Sequence, residues 1–153
     1  MKEEVSELVR KVITKLGPIN KLEVTVANIA GEWQGEKSSP DLGSSLLSEQ
    51  QQFDRLTNDA MSEAVILYFH GGAYVVASPD VLRPTTRRLA RDCGGRVFSV
   101  RYRLAPQQPF PAALIDAVMA YKYLIDPPAG AMHSPIDPGK IVFAGDSAGV
   151  QSL

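Results

Sequence analysis

One serine stands in a spacing that could carry nucleophilic chemistry. Gly145-Asp146-Ser147-Ala148-Gly149 fits G-x-S-x-G and directly follows the apolar run Ile141-Val142-Phe143-Ala144, which reads as a buried strand. Glycines two positions either side of a serine, just after a strand, are the signature of a nucleophile elbow. The reason is steric. The chain must turn sharply from strand to helix with the serine in an uncommon backbone conformation, and its neighbours two away must be small. The start of the following helix would bring positive potential and the N–H of Ala148 toward a reacting oxygen. The plainer alternative is a Gly/Ser/Asp loop joining a strand to a helix.

A second stretch supplies what such a serine needs. Val65-Ile66-Leu67-Tyr68-Phe69, another apolar strand, runs into His70-Gly71-Gly72-Ala73-Tyr74. Consecutive glycines let backbone N–H groups approach a ligand with no Cβ in the way. Amides held where negative charge develops form an oxyanion hole, each typically contributing about 3–4 kcal/mol to the transition state. The glycine loop precedes the serine, the order a strand-to-elbow hydrolase requires.

Together with Tyr102-Arg103-Leu104-Ala105-Pro106 and Pro109-Phe110-Pro111-Ala112-Ala113, these stretches resemble the hormone-sensitive-lipase-like esterases of the α/β-hydrolase fold. The resemblance covers about residues 63–149. It implies that Ser147 is the nucleophile and that the loop Gly71, Gly72, Ala73 and the amide of Ala148 form the oxyanion hole. His70 would hold that loop, with Gly145, Asp146 and Gly149 shaping the elbow. Arg101, Gln107 and Ala73 depart from the family's usual residues, and Ala73 still offers its N–H.

The same chemistry needs a base to take the serine proton and an acid to orient that base. In the resembled fold both follow the nucleophile. The two histidines of this chain, His70 and His133, precede it. His133 reads as a surface-loop histidine, and the side chain of Asp146 is expected to point away from the serine hydroxyl. No base or acid is assigned. The resemblance therefore implies a chain cut just after the elbow (a truncated product, a splice variant or a faulty gene model), inactive or nearly so alone. Its apolar strand before Gly145 would then be an exposed edge.

The elements around these motifs follow from periodicity. Val5, Leu8, Val9, Val12, Ile13 and Leu16 share a helical face within residues 1–20, which in the resembled family would be a cap element. Residues 21–153 read as a partial α/β-hydrolase core. Leu22, Val24 and Val26 alternate like a strand, and Trp33 belongs to a second strand or turn. Residues 35–52 read as a polar connection, with a short helix from Phe53 to Met61. A helix is expected from Pro84 to Cys93, a strand from Arg96 to Tyr102, and a helix from Pro111 ended by Pro127-Pro128. That last helix should bury Ala113, Leu114, Ala117, Val118, Tyr121, Leu124 and Ile125. Strand and helix alternate, which predicts a doubly wound, mostly parallel sheet.

Composition narrows the function. With 153 residues, 44% apolar and 22% charged, the chain suits one globular domain. A net charge of −1 without a basic block speaks against nucleic acid. Cys93 is the only cysteine, so an intrachain disulfide is impossible. No apolar run reaches membrane-spanning length and no signal core is apparent, so the default location is cytoplasmic. The expected activity is carboxylic-ester hydrolysis through an acyl-enzyme on a small-molecule ester, without metal or cofactor. A non-enzymatic small-molecule-binding member of the same fold and a non-functional fragment are the alternatives. Ester identity and oligomeric state stay open.

Overall fold

The computed structural model describes residue 28, residues 30–36 and residues 47–152. The expected helix and strand within residues 1–26, and most of the 35–52 connection, lie outside these.

Among the described residues, four strands form one sheet in the order β1-β3-β2-β4. They are β1 (Ala30–Gly35), β2 (Val65–Phe69), β3 (Arg96–Arg101) and β4 (Ile141–Gly145). β2 runs parallel to β3 and to β4, while β1 pairs antiparallel with β3 and sets Trp33 opposite Phe98. The mostly parallel sheet expected from the strand–helix alternation is what forms, with Trp33 in an edge strand.

Every residue of β2 is buried. Its side chains alternate between two cores, as the two-residue repeat of a strand demands. Val65, Leu67 and Phe69 join Phe98, Val100, Tyr102, Ala117, Ala120 and Leu124 on one side. Ile66 and Tyr68 join Val97 and Ala90 on the other. The first core is closed by one helix, Ala112–Ile125, and the second by another, Pro79–Cys93. In chain order the helices are α1 (Glu49–Asn58), α2 (Pro79–Cys93) and α3 (Ala112–Ile125).

Several boundaries differ from expectation for identifiable reasons. α1 starts at Glu49 rather than Phe53 because Ser48 and Gln51 form a reciprocal capping box: Gln51 N–H donates to Ser48 Oγ and Ser48 N–H donates to Gln51 Oε1. α2 starts at Pro79, not Pro84. Pro79 takes the first turn, where its missing N–H costs nothing, and Pro84 lies inside the helix on an exposed position. The helix ends as expected at Gly94, whose φ of 64° is in the left-handed region. α3 is rotated relative to the expected stripe. It buries Ala112, Ile115, Asp116, Ala117, Ala120 and Leu124, whereas Leu114 and Val118 are only half-buried. Its sequence is apolar nearly all round, so periodicity alone could not set its phase.

One ion pair does set that phase. Arg103 donates from its backbone N to Asp116 Oδ2 at 2.8 Å and from Nη2 to Oδ1 at 2.8 Å. Asp116 is buried only because this guanidinium accompanies it. Arg101, an unexpected residue by family resemblance, pairs at the surface with Asp80 at 2.9 Å, beside the Arg83–Glu32 bridge at 2.8 Å.

β4 is the last strand in the order. Val142 is 55% exposed and Phe143 41% exposed, so the apolar strand does lie at the edge of the described sheet. Among the described residues no helix is long and apolar enough to cross a membrane.

Candidate active site

β2 and β4 are neighbours, parallel and in register, with Phe69 opposite Gly145. The glycine loop after β2 and the serine turn after β4 therefore leave the sheet side by side at the carboxyl ends of the strands. In open α/β sheets that end is where ligands bind.

The serine turn has the geometry its spacing implies. Ser147 has a φ of 49°, in the left-handed region that non-glycine residues seldom occupy. A Cβ on Gly149 would collide with the carbonyl of Phe69. One on Gly145 would lie 2.7 Å from that same oxygen and 2.9 Å from the carbonyl carbon of Gly149. Both glycines are thus required because β2 crowds the turn. Residues Ser147–Ser152 continue as a 3-10 turn, with Ala148 buried and Ser147 exposed.

The glycine loop is wound through an unusual run of positive φ: Gly72 at 109°, Ala73 at 54° and Tyr74 at 61°. The carbonyl of Gly72 accepts from Val75 N and Val76 N at 2.9 and 3.0 Å. Tyr74 O accepts from Ala105 N at 2.8 Å, which ties the loop to the Tyr102–Pro106 segment. Among the described residues, the N–H groups of Gly72 and Ala73 carry no hydrogen bond.

Gly71 is different from its two neighbours in the loop. Its N–H donates to Asp146 Oδ1 at 2.9 Å, so it is already occupied. Tyr68 Oη donates to the same oxygen at 2.8 Å. The Asp146 carboxylate thereby fastens the two motifs together. Burial first, and the Asp146 hydrogen bond second, push the Tyr68 hydroxyl far above the usual phenol range, so it stays a donor.

His70, at the start of the loop, is fully buried. Its Nδ1 lies 2.7 Å from Gly71 O, so Nδ1 carries the proton and donates. The ring of Tyr102 stacks on the imidazole with centroids 4.3 Å apart, and Tyr102 Oη donates to His70 O at 2.5 Å. Burial pushes the Tyr102 phenol up to about 12. Sequence reading missed both tyrosines because each passes as a strand hydrophobe. The available signal was that a buried tyrosine hydroxyl must find a partner.

His133 overturns its expectation. It is buried, at 9% exposure, among Trp33, Phe53 and Tyr123. None of its contacts, nor any of His70's, is with Ser147. Among the described residues no three of His, Cys, Asp and Glu group as metal ligands would.

A family model described as alpha/beta hydrolase fold matches residues 66–151. The chain belongs to the α/β-hydrolase family. Within it, this chain is 40% identical over 84 residues to an acetyl-hydrolase of Streptomyces hygroscopicus, covering 55% of this chain and 26% of that protein. It is 42% identical over 90 residues to an ethyl acetate hydrolase of Pseudomonas putida, covering 59% of this chain and 27% of that one. Among solved structures it is similar to a hormone-sensitive lipase from a metagenome library, with a TM-score of 0.53, 42% identity, and coverage of 61% of this chain and 30% of that chain. The chain thus spans about a quarter of the length of these two curated relatives.

Proposed function

We propose that this chain carries the nucleophile and the oxyanion donors of a serine hydrolase acting on small carboxylic esters. Ser147 Oγ attacks the ester carbonyl carbon, and the π electrons of the carbonyl move onto its oxygen. The amides of Gly72, Ala73 and Ala148 stabilise that oxyanion, each by about 3–4 kcal/mol. Collapse expels the alkoxide, which takes up the proton that Ser147 Oγ gives up on attack, and leaves an acyl group on Ser147. Water then releases the carboxylic acid by the reverse steps. The observation that carries the reading is the Asp146 carboxylate, which binds the serine turn to the glycine loop through Gly71 N–H. The names of the relatives, an acetyl-hydrolase and an ethyl acetate hydrolase, support small esters as the substrate class.

No base is assigned within residues 1–153, since both histidines are engaged elsewhere. Residues 1–20 carry the apolar spacing of a helix, and the family resemblance makes that helix a cap element over the site.

A fluorophosphonate label and peptide mass spectrometry test the nucleophile. A slow adduct at Ser147, absent from Ser147→Ala, is expected. A label on another serine, with Ser147 unmodified in folded protein, overturns the assignment. Hydrolysis of a short acyl nitrophenyl ester tests the rest. Loss of the base typically costs about a million-fold in kcat. Turnover at ordinary esterase rates that vanishes in Ser147→Ala would place a working base inside these 153 residues.

A further inference from the structure

A second constellation lies at the opposite end of the sheet, where β3 begins at Arg96. The His133 ring sits 5.3 Å from Trp33 of β1, 4.8 Å from Tyr123 of α3 and 6.4 Å from Phe53 of α1, between ring centroids. The Arg96 guanidinium lies 5.9 Å from the centroids of both Trp33 and Phe53. Gln50 of α1 donates to the carbonyl of the preceding Met132 at 3.1 Å. One imidazole therefore sits where β1, β3, α1 and α3 meet.

Its protonation state can be read from its partners. Nδ1 is 2.9 Å from the carbonyl of Ser134, which can only accept, so Nδ1 carries the hydrogen. Nε2 is then a bare lone pair, buried and without a partner. Trp33 Nε1 and Arg96 Nε in the same cluster are also buried and unpartnered. A proton on Nε2 would create a charged donor with no acceptor, next to an existing cation.

No neighbouring acid offsets that charge among the described residues. β1 presents Trp33, and its Glu32 is bonded to Arg83. α1 presents Phe53, and its Asp54 accepts from Gln50. α3 presents the neutral phenol of Tyr123, and β3 presents Arg96. Glu63 acts on Arg96 and is bonded to Lys140. Nor can the rings cradle a new cation, since Arg96 already lies over Trp33 and Phe53.

We propose that His133 is an acid-sensitive latch: neutral, it clamps β1 and α1 onto α3, and on protonation it lets that flank open. Burial is the main influence holding the imidazole below its usual 6.5; the Ser134 carbonyl works against it and Arg96 reinforces it. The sign follows. The neutral form is favoured in the folded chain, so the contribution to stability is complete above 6.5. It is lost as pH falls below 6.5, by up to about tenfold in the folding equilibrium per pH unit. The latch does not depend on the ester chemistry proposed above.

Trp33 is the only tryptophan and His70 the only other histidine, so the whole chain reports on itself. Histidine ring NMR, Trp33 fluorescence and amide exchange are followed from about pH 7.5 to about pH 5. The His133 signals are expected to titrate with a midpoint below 6.5, and Trp33 emission to change with that midpoint. Exchange in β1 and α1 should rise about tenfold across it, with β2 amides unchanged. In His133→Gln the Trp33 transition should vanish. If that variant fails to fold, His133→Phe fills the box without a titrating nitrogen. A midpoint at or above 6.5, Trp33 emission that ignores the His133 titration, or a transition that survives in a folded His133 variant each overturns the latch.

Discussion

The carboxylate of Asp146 accepts the backbone N–H of Gly71 at 2.9 Å, across 75 residues of sequence. This bond joins the glycine loop after β2 to the serine turn after β4. Tyr68 Oη shares the same carboxylate oxygen, at 2.8 Å. Removing either donor or acceptor should loosen one motif relative to the other.

Asp146→Ala is expected to lower stability by about 1–2 kcal/mol, and Tyr68→Phe by about 1 kcal/mol. The Tyr68 hydroxyl has no task once Asp146 is gone, so the double variant should cost less than the sum. Urea denaturation of the four proteins measures this. Strict additivity would mean that the two groups do not interact.

Gly149→Ala should prevent the turn from forming, because its Cβ meets the Phe69 carbonyl. A loss above about 3 kcal/mol, or failure to fold, is expected. Gly130→Ala is the contrast. Its φ of 86° is strained for alanine, yet nothing lies within 4 Å of the added carbon. That change should cost only about 1–2 kcal/mol. Equal effects in thermal unfolding would refute the collision.

Asp116→Asn tests the pair that orients α3. The Arg103 and Asp116 side chains are 18% and 4% exposed, so the pair is largely dry. Breaking a buried pair typically costs about 3–5 kcal/mol. A change below about 1 kcal/mol in chemical denaturation would mean that water already screens the bridge.

Alkaline titration should separate the tyrosines. Burial lifts Tyr102 to about 12 and Tyr68 further still, from an ordinary 10.0. A raised folded value means the neutral phenol is favoured by folding. Their contribution is therefore complete below pH 10 and declines as pH rises toward about 12. Burial raises Tyr123 as well, so phenolate absorbance of native protein should show three of the five tyrosines lagging, and Tyr102→Phe should remove one lagging step. Five coincident transitions in folded protein would contradict the burial.

Much of the strand framework was legible because it follows from local rules. Val65–Phe69 reads as a strand from its unbroken apolar run, and Ile141–Ala144 from its place before G-x-S-x-G. Helix boundaries were legible only where capping was: Gly94 ended α2 as read, whereas Ser48 and Pro79 started α1 and α2 earlier than their apolar residues suggested.

Sequence alone determined which residues could form the serine turn and the glycine loop. A left-handed corner tolerates few residue types, and those types stand at fixed offsets from Ser147. Tertiary structure decided which groups remain available. Gly71 and Gly72 look alike in the chain, yet only the amide of Gly71 is taken by Asp146. His133, a loop residue by sequence, is buried because Trp33, Phe53 and Tyr123 converge on it from three separate elements. Local pattern fixes backbone geometry through short-range sterics. Partnership depends on contacts between residues far apart in the chain, and these exist only after the sheet has paired.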